Sequence, residues 1–166
     1  VKVLSHIEDG RVDEATVINW SYLNSPTPCN TIPGHVEAKA FAMSRDNDKL
    51  AAYIKKFHTV AAQVAQETGC RIETKDILDY PAFLTRDSSD CVRLAQRALG
   101  QMKLRASVED GAGGFDANLL SRAGIELVGL STGYSGNHTV KETLVVEDLI
   151  QSGCLVTNIA LEYAKL

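Results

Sequence analysis

Apolar and polar positions change period several times along the chain, and each change predicts an element. Thr16 to Leu23, with Val17, Ile18, Trp20 and Tyr22, alternates in the manner of a strand. Asn24 to Gly34 carries three prolines and a glycine and predicts a loop. His35 to Ser44 alternates again, with Val36, Ala38, Ala40 and Ala42 opposed to Glu37 and Lys39. That predicts a second strand, at an edge or in a hairpin. After Asp46 and Asp48 the apolar positions fall at helical spacing: Leu50, Tyr53, Ile54, Phe57, Ala61 and Val64. Gly69 predicts the end of that helix. Cys70 to Leu78 alternates once more and predicts a third strand, polar on both faces. Residues 1–9 read as the end of a helix stopped at Gly10. Residues 11–80 therefore read β-β-α-β, the latter part of a βαββαβ sandwich.

Tyr80-Pro81 marks a boundary, because proline disfavours helix at the residue before it. Ser88 to Met102 predicts a helix capped by Asp87 or Ser88, with Val92, Leu94, Ala95, Ala98 and Leu99 as its apolar side. Leu104 to Val108 predicts a short strand. Gly111 to Gly114 is a glycine-rich loop leading into a short helix, 116–122, that Gly124 ends. Ile125 to Leu130 is nearly all apolar, as a strand buried on both faces would be. Ser131 to His138 is a loop, and Val146 to Tyr163 a long final helix. Residues 83–166 thus read α-β-α-β-α, a layered α/β pattern. The expected fold class is α/β, in two domains, 1–82 and 83–166.

Composition narrows the classes of function. The chain has 166 residues, 45% hydrophobic and 23% charged, which is a globular balance. Its net charge of −4 carries no basic stripe for nucleic acid. No apolar run approaches the roughly 20 residues of a membrane helix. The start, Val1-Lys2-Val3-Leu4, has neither a signal peptide nor an initiator Met, so a cytoplasmic location and an origin within a longer chain are expected. Cys29, Cys70, Cys91 and Cys154 stand far apart without a Cys-x-x-Cys pair. They read as four buried thiols or, less simply, as paired disulfides.

Few residues suggest chemistry on their own. His138 closes the loop Ser131-Thr132-Gly133-Tyr134-Ser135-Gly136-Asn137-His138, which follows an apolar segment. Imidazole is the commonest zinc ligand, so His138 reads either as a metal ligand or as an ordinary loop histidine. No second ligand stands near it in sequence. Gly111 to Asn118 could cradle a phosphate, or form a tight turn with Asp116 capping a helix; G-x-G-x-x-G and Walker patterns do not fit. Asn30 could bond a substrate carbonyl or make an Asx turn. Ser135 and Thr139 lack a G-x-S-x-G elbow, which argues against a serine hydrolase. Asn137-His138-Thr139 fits a glycosylation pattern, discounted without a secretory signal. His6, His35 and His58 read as surface residues.

Several segments, in order, carry a resemblance. Gly10-Arg11-Val12-Asp13-Glu14-Ala15-Thr16, Asn30-Thr31-Ile32-Pro33-Gly34, and Ser44-Arg45-Asp46 with Lys49-Leu50 resemble the lid domain of the peptidase T-like metallopeptidases. That family also includes acetylornithine deacetylase and succinyl-diaminopimelate desuccinylase. Tyr80-Pro81-Ala82-Phe83 resembles the exit from the lid. Gly113-Gly114-Phe115-Asp116-Ala117-Asn118, Gly124-Ile125, Gly133-Tyr134, Asn137-His138-Thr139, Glu142 and Glu147-Asp148-Leu149 resemble the family's C-terminal catalytic segment.

The resemblance implies a catalytic domain holding two zinc ions, with a lid inserted in it. It implies a bridging aspartate, terminal His and Glu ligands, and a Glu general base acting on metal-bound water. One such ligand maps here, His138. The His-x-Asp motif, bridging Asp and Glu-Glu pair do not occur in this sequence, so no catalytic residue is assigned and the chain alone is expected to be inactive. Asn30 matches a lid asparagine that approaches substrate. Met43 stands where the family usually has an arginine for the substrate carboxylate, and Arg45, two residues on, is the expected partial substitute. Ser25-Pro26 replace the usual Gly-Gly. The implied substrate is a small peptide and the implied partner a second copy through the lid. The alternatives are a non-catalytic dimerisation module and a related N-acyl amino acid deacylase.

Overall fold

The computed structural model describes residues 2–111 and 113–166. Its contacts divide the chain into two compact units: one runs to Ala82 and takes in Gly113–Gly114, the other comprises Phe83–Gly111 and Phe115–Leu166. The described residues form a mixed α/β structure with small sheets and four α-helices.

In the first unit, β1 (Gly10–Arg11), β2 (Thr16–Asn24) and β3 (Glu37–Ser44) form an antiparallel sheet in that order. Thr16 opposes Ser44 and Asn24 opposes Glu37, with an irregularity between Trp20 and Tyr22. The alternation in the sequence is the cause: Thr16 and Ile18 lie on one face of β2, Ile18 only 1% exposed. Trp20, on the same face, meets Phe57 at 6.0 Å between ring centroids. Phe57 belongs to α1 (Asn47–Thr68), whose apolar stripe ends in the buried Ala61 and Val64. Asp46 caps this helix, accepting from the Asp48 and Lys49 amides at 2.9 and 3.1 Å. Gly69 closes it with φ +69, a conformation that costs glycine nothing.

The predicted strand 70–78 has no ladder partner among the described residues. A strand is stabilised by its neighbour, and a segment polar on both faces buries nothing by finding one. It is tied to α1 by side chains instead: His58 Nε2 lies 2.6 Å from Asp76 Oδ2, and His58 Nδ1 3.0 Å from Thr74 Oγ1. The helix expected over residues 1–9 shrinks to a single 3-10 turn, Leu4–His6; Val1 lies outside the described residues.

In the second unit, α2 (Asp90–Gln101) packs against the long α4 (Val146–Tyr163), with α3 (Asp116–Ser121) between them in sequence. Val92, Ala95 and Ala98 are buried on α2, and Leu155 on α4. The cap of α2 is Ser89, which accepts from the Val92 amide, rather than Asp87 or Ser88. Asp116 is the first residue of α3 and not its cap; Asn118 Oδ1 accepts from the Phe115 amide at 3.0 Å. The predicted strands 104–108 and 125–130 form no ladder among the described residues, and Ile125 and Leu130 are exposed. A strand apolar on both faces needs layers on both sides, and here it has no neighbour to pair with. The strands of this unit are instead two short ones, β4 (Tyr134–Ser135) and β5 (Thr143–Leu144), paired antiparallel. No cysteine is in a disulfide; contrary to the buried reading, Cys29, Cys70 and Cys154 are exposed and Cys91 half-buried. No helix among the described residues is long and apolar enough to cross a membrane.

Candidate functional site

His138 sits in the connection between β4 and β5, exposed, with its backbone at φ +62. Short-range bonds build this loop. Gly136 O accepts from Thr139 Oγ1 at 2.7 Å, and Thr139 Oγ1 accepts in turn from the Lys141 amide at 3.1 Å. The Glu142 amide donates to Thr139 O at 3.1 Å. Gly136 itself needs to be glycine: its φ is +65, and an added Cβ would lie 2.9 Å from the Lys141 carbonyl oxygen. The loop entrance is equally tight, since a Cβ on Gly133 would meet Asp148 Cβ at 2.5 Å.

A zinc ion takes about four ligands. Among the described residues no three His, Cys, Asp or Glu side chains come together to hold a metal. Among the described residues the chain's donors do not compose a zinc site by themselves, and His138 stands on a well-tied loop.

Asn30 and Arg45 both belong to the first unit, and His138 to the second. Asn30 is exposed in the loop between β2 and β3, beside a turn in which the Thr31 amide donates to Pro28 O at 2.9 Å. Arg45 follows β3, which ends at Ser44. Its amide donates to Ala15 O at 3.0 Å and its guanidinium to Glu14 O at 2.8 Å. Thus Arg45 is tied to the turn before β2 rather than projecting from the strand beside Met43. Met43 is half-buried and paired with Val17 in the ladder. Asn30 lies in the loop that joins β2 to β3, and Arg45 follows the far end of β3.

The glycine loop was open to two readings. Ala112 lies outside the described residues. Gly114 backs onto an aromatic ring, where a Cβ would lie 2.6 Å from Tyr80 Cδ2. A close backbone approach to tyrosine explains this glycine without a phosphate. Sequence reasoning missed the side-chain link from Glu142 to His138; its signal is the spacing of four residues, with the turn-forming Thr139 between them.

No protein-family model matches the chain. It is 30% identical over 164 residues to the uncharacterized protein YqjE of Bacillus subtilis, which takes in 99% of this chain and 44% of that one. The crystal structure of aminopeptidase PepT from Bacillus cereus matches with a TM-score of 0.81 at 31% identity, over 98% of this chain and 44% of that chain. A tripeptidase structure from Staphylococcus aureus matches with a TM-score of 0.85 at 28% identity, over 95% and 42%. The chain spans less than half the length of the relatives it matches. Resemblance in sequence and likeness in fold agree over nearly every residue: the chain is similar to the C-terminal part of peptidase T-like proteins.

Proposed function

We propose that this chain works as part of a zinc-dependent peptidase of small peptides, with His138 supplying one metal ligand and the remaining ligands coming from outside these 166 residues. The observation that carries the reading is the likeness to an aminopeptidase and a tripeptidase over 98% and 95% of the chain. The location proposed for the parent is the cytoplasm.

Asn30 and Arg45 are the proposed substrate contacts. Asn30 lies in the loop between β2 and β3 and Arg45 just beyond β3, so each is tested separately. In the N30A and R45A variants, a substrate contact is read as a raised KM.

The test uses two proteins. The purified 166-residue chain should not hydrolyse tripeptides with or without added zinc; robust zinc-dependent hydrolysis by it alone sinks the proposal. A chimera joining this chain to the remainder of the B. cereus aminopeptidase should be active. There, His138→Ala should lower activity by at least about 100-fold, since even outer partners of a metal ligand are worth about 10- to 100-fold. N-acyl amino acids run beside tripeptides decide between deacylase and peptidase.

One further observation concerns partners. β3 pairs with β2 alone among the described residues, which leaves eight residues of open strand edge. We propose a homodimer through the first unit, and, should the chimera prove inactive, a dimerisation module in its own right. Light scattering that shows a monomer at high concentration removes this part.

A further inference from the structure

Glu142 does something specific to His138. Its Oε2 accepts the His138 backbone N–H at 2.8 Å. His138 is one of two non-glycine residues with positive φ among the described residues, the other being Lys103. A side chain with a Cβ is disfavoured in that region unless something nearby holds it there. An ionised carboxylate on the backbone donor is the strong kind of hydrogen bond. The loop delivers it: the turn from Gly136 to Thr139 and the Glu142 amide bond to Thr139 O bring residue 142 back to residue 138. The β4–β5 ladder fixes both ends, with Ser135 opposite Thr143.

We infer that Glu142 is a positioning residue for His138, holding the left-handed backbone from which the imidazole is presented. Its use in metal binding rests on the function proposed above; the brace itself does not.

The first test therefore needs no metal. In the 166-residue chain, amide hydrogen exchange at His138 is read by NMR. Glu142→Ala should speed it at least about tenfold, and Glu142→Gln, which keeps an acceptor oxygen, should stay within a few-fold of the parent. Unchanged exchange in Glu142→Ala overturns the inference. If that variant folds poorly, the double variant Glu142→Ala/His138→Gly decides. Glycine adopts φ +62 without strain, so the double variant should melt above the single one, and equal melting overturns the inference. In the active chimera, Glu142→Ala should weaken zinc binding about tenfold or more and Glu142→Gln should largely restore it. Zinc affinity untouched by His138→Ala would remove the metal reading, while the exchange result would still decide the brace.

Discussion

At the residue scale, local hydrogen bonding decides positions that hydrophobic pattern leaves open. Asp46 was legible as the start of α1 because it precedes a long apolar stripe, and its carboxylate accepts two of the helix's first amides. Replacing it with Ala leaves those donors to water and should cost about 1 kcal/mol of unfolding free energy in urea, against about 0.5–2 for such caps in general. A Asp46→Asn variant, which retains an acceptor, should cost much less; equal loss in both would mean the cap bonds contribute nothing. The cap of α2 was not legible, because Asp87, Ser88 and Ser89 are three consecutive candidates and any of them can accept. Only backbone geometry selects Ser89, at φ −68 and ψ 154, ahead of the first helical residue. The same holds at the candidate site: His138 was legible by type and position, whereas its left-handed backbone and the Glu142 brace were not.

At the element scale, helices were legible and strands much less so. The bounds of α4 coincide with the apolar periodicity from Val146 to Tyr163, since a helix makes its own hydrogen bonds. A strand depends on a second segment, so the alternation at 70–78 and the apolar run at 125–130 could not say whether a partner would be present. One tie was hidden from periodicity altogether. Residues 2–13 are strapped to α1 by polar contacts: Lys2 with Glu67 at 3.2 Å, Lys49 with Asp13 at 3.2 Å, and Lys56 with Glu8 at 2.6 Å. The Tyr53 hydroxyl also donates to Glu8 O at 2.7 Å. The Lys56 bond holds the Glu8 carboxyl below its ordinary value, the Ala15 amide does so for Asp13, and Gln63 with Lys2 for Glu67. Each of these groups binds protons less tightly folded than unfolded. Their contribution is complete above the ordinary carboxylate range and is lost as pH falls through the lowered folded values. The first unit should therefore melt at a lower temperature at pH 3 than at pH 6, followed through Trp20 fluorescence. In Glu8→Gln that difference should shrink. Superimposable melts at the two pH values would show that the strap carries no weight. The contacts are exposed, so added salt should weaken them too.

For the whole molecule, the amount of surface is the informative quantity. The accessible area is 12558 Å² for 18.0 kDa. A folded monomer of that mass exposes about 8,000 Å². Counting the two units as wholly separate domains of about 9 kDa each raises the ordinary total only to about 9,700 Å². The accessible area exceeds even that total by about 2,900 Å², the size of a large protein interface. Much of what is exposed is apolar: Ile77 at 70%, Leu84 at 84%, and Ile125, Ile150, Val156 and Leu161 at 48 to 63%. The buried set, by contrast, is small and rich in alanine on α2. Large apolar side chains left this open are the kind of surface that a second polypeptide is expected to cover. The isolated chain should accordingly bind a hydrophobic dye such as ANS strongly and self-associate as concentration rises. In the chimera with the rest of a peptidase T-like chain, dye binding per mole should fall several-fold and the thermal transition should sharpen, because burial of apolar area is what makes unfolding cooperative. A chain that stays monomeric, silent to the dye and sharply cooperative by itself would show that its surface needs no cover, and would weaken the case that His138 waits for ligands from elsewhere.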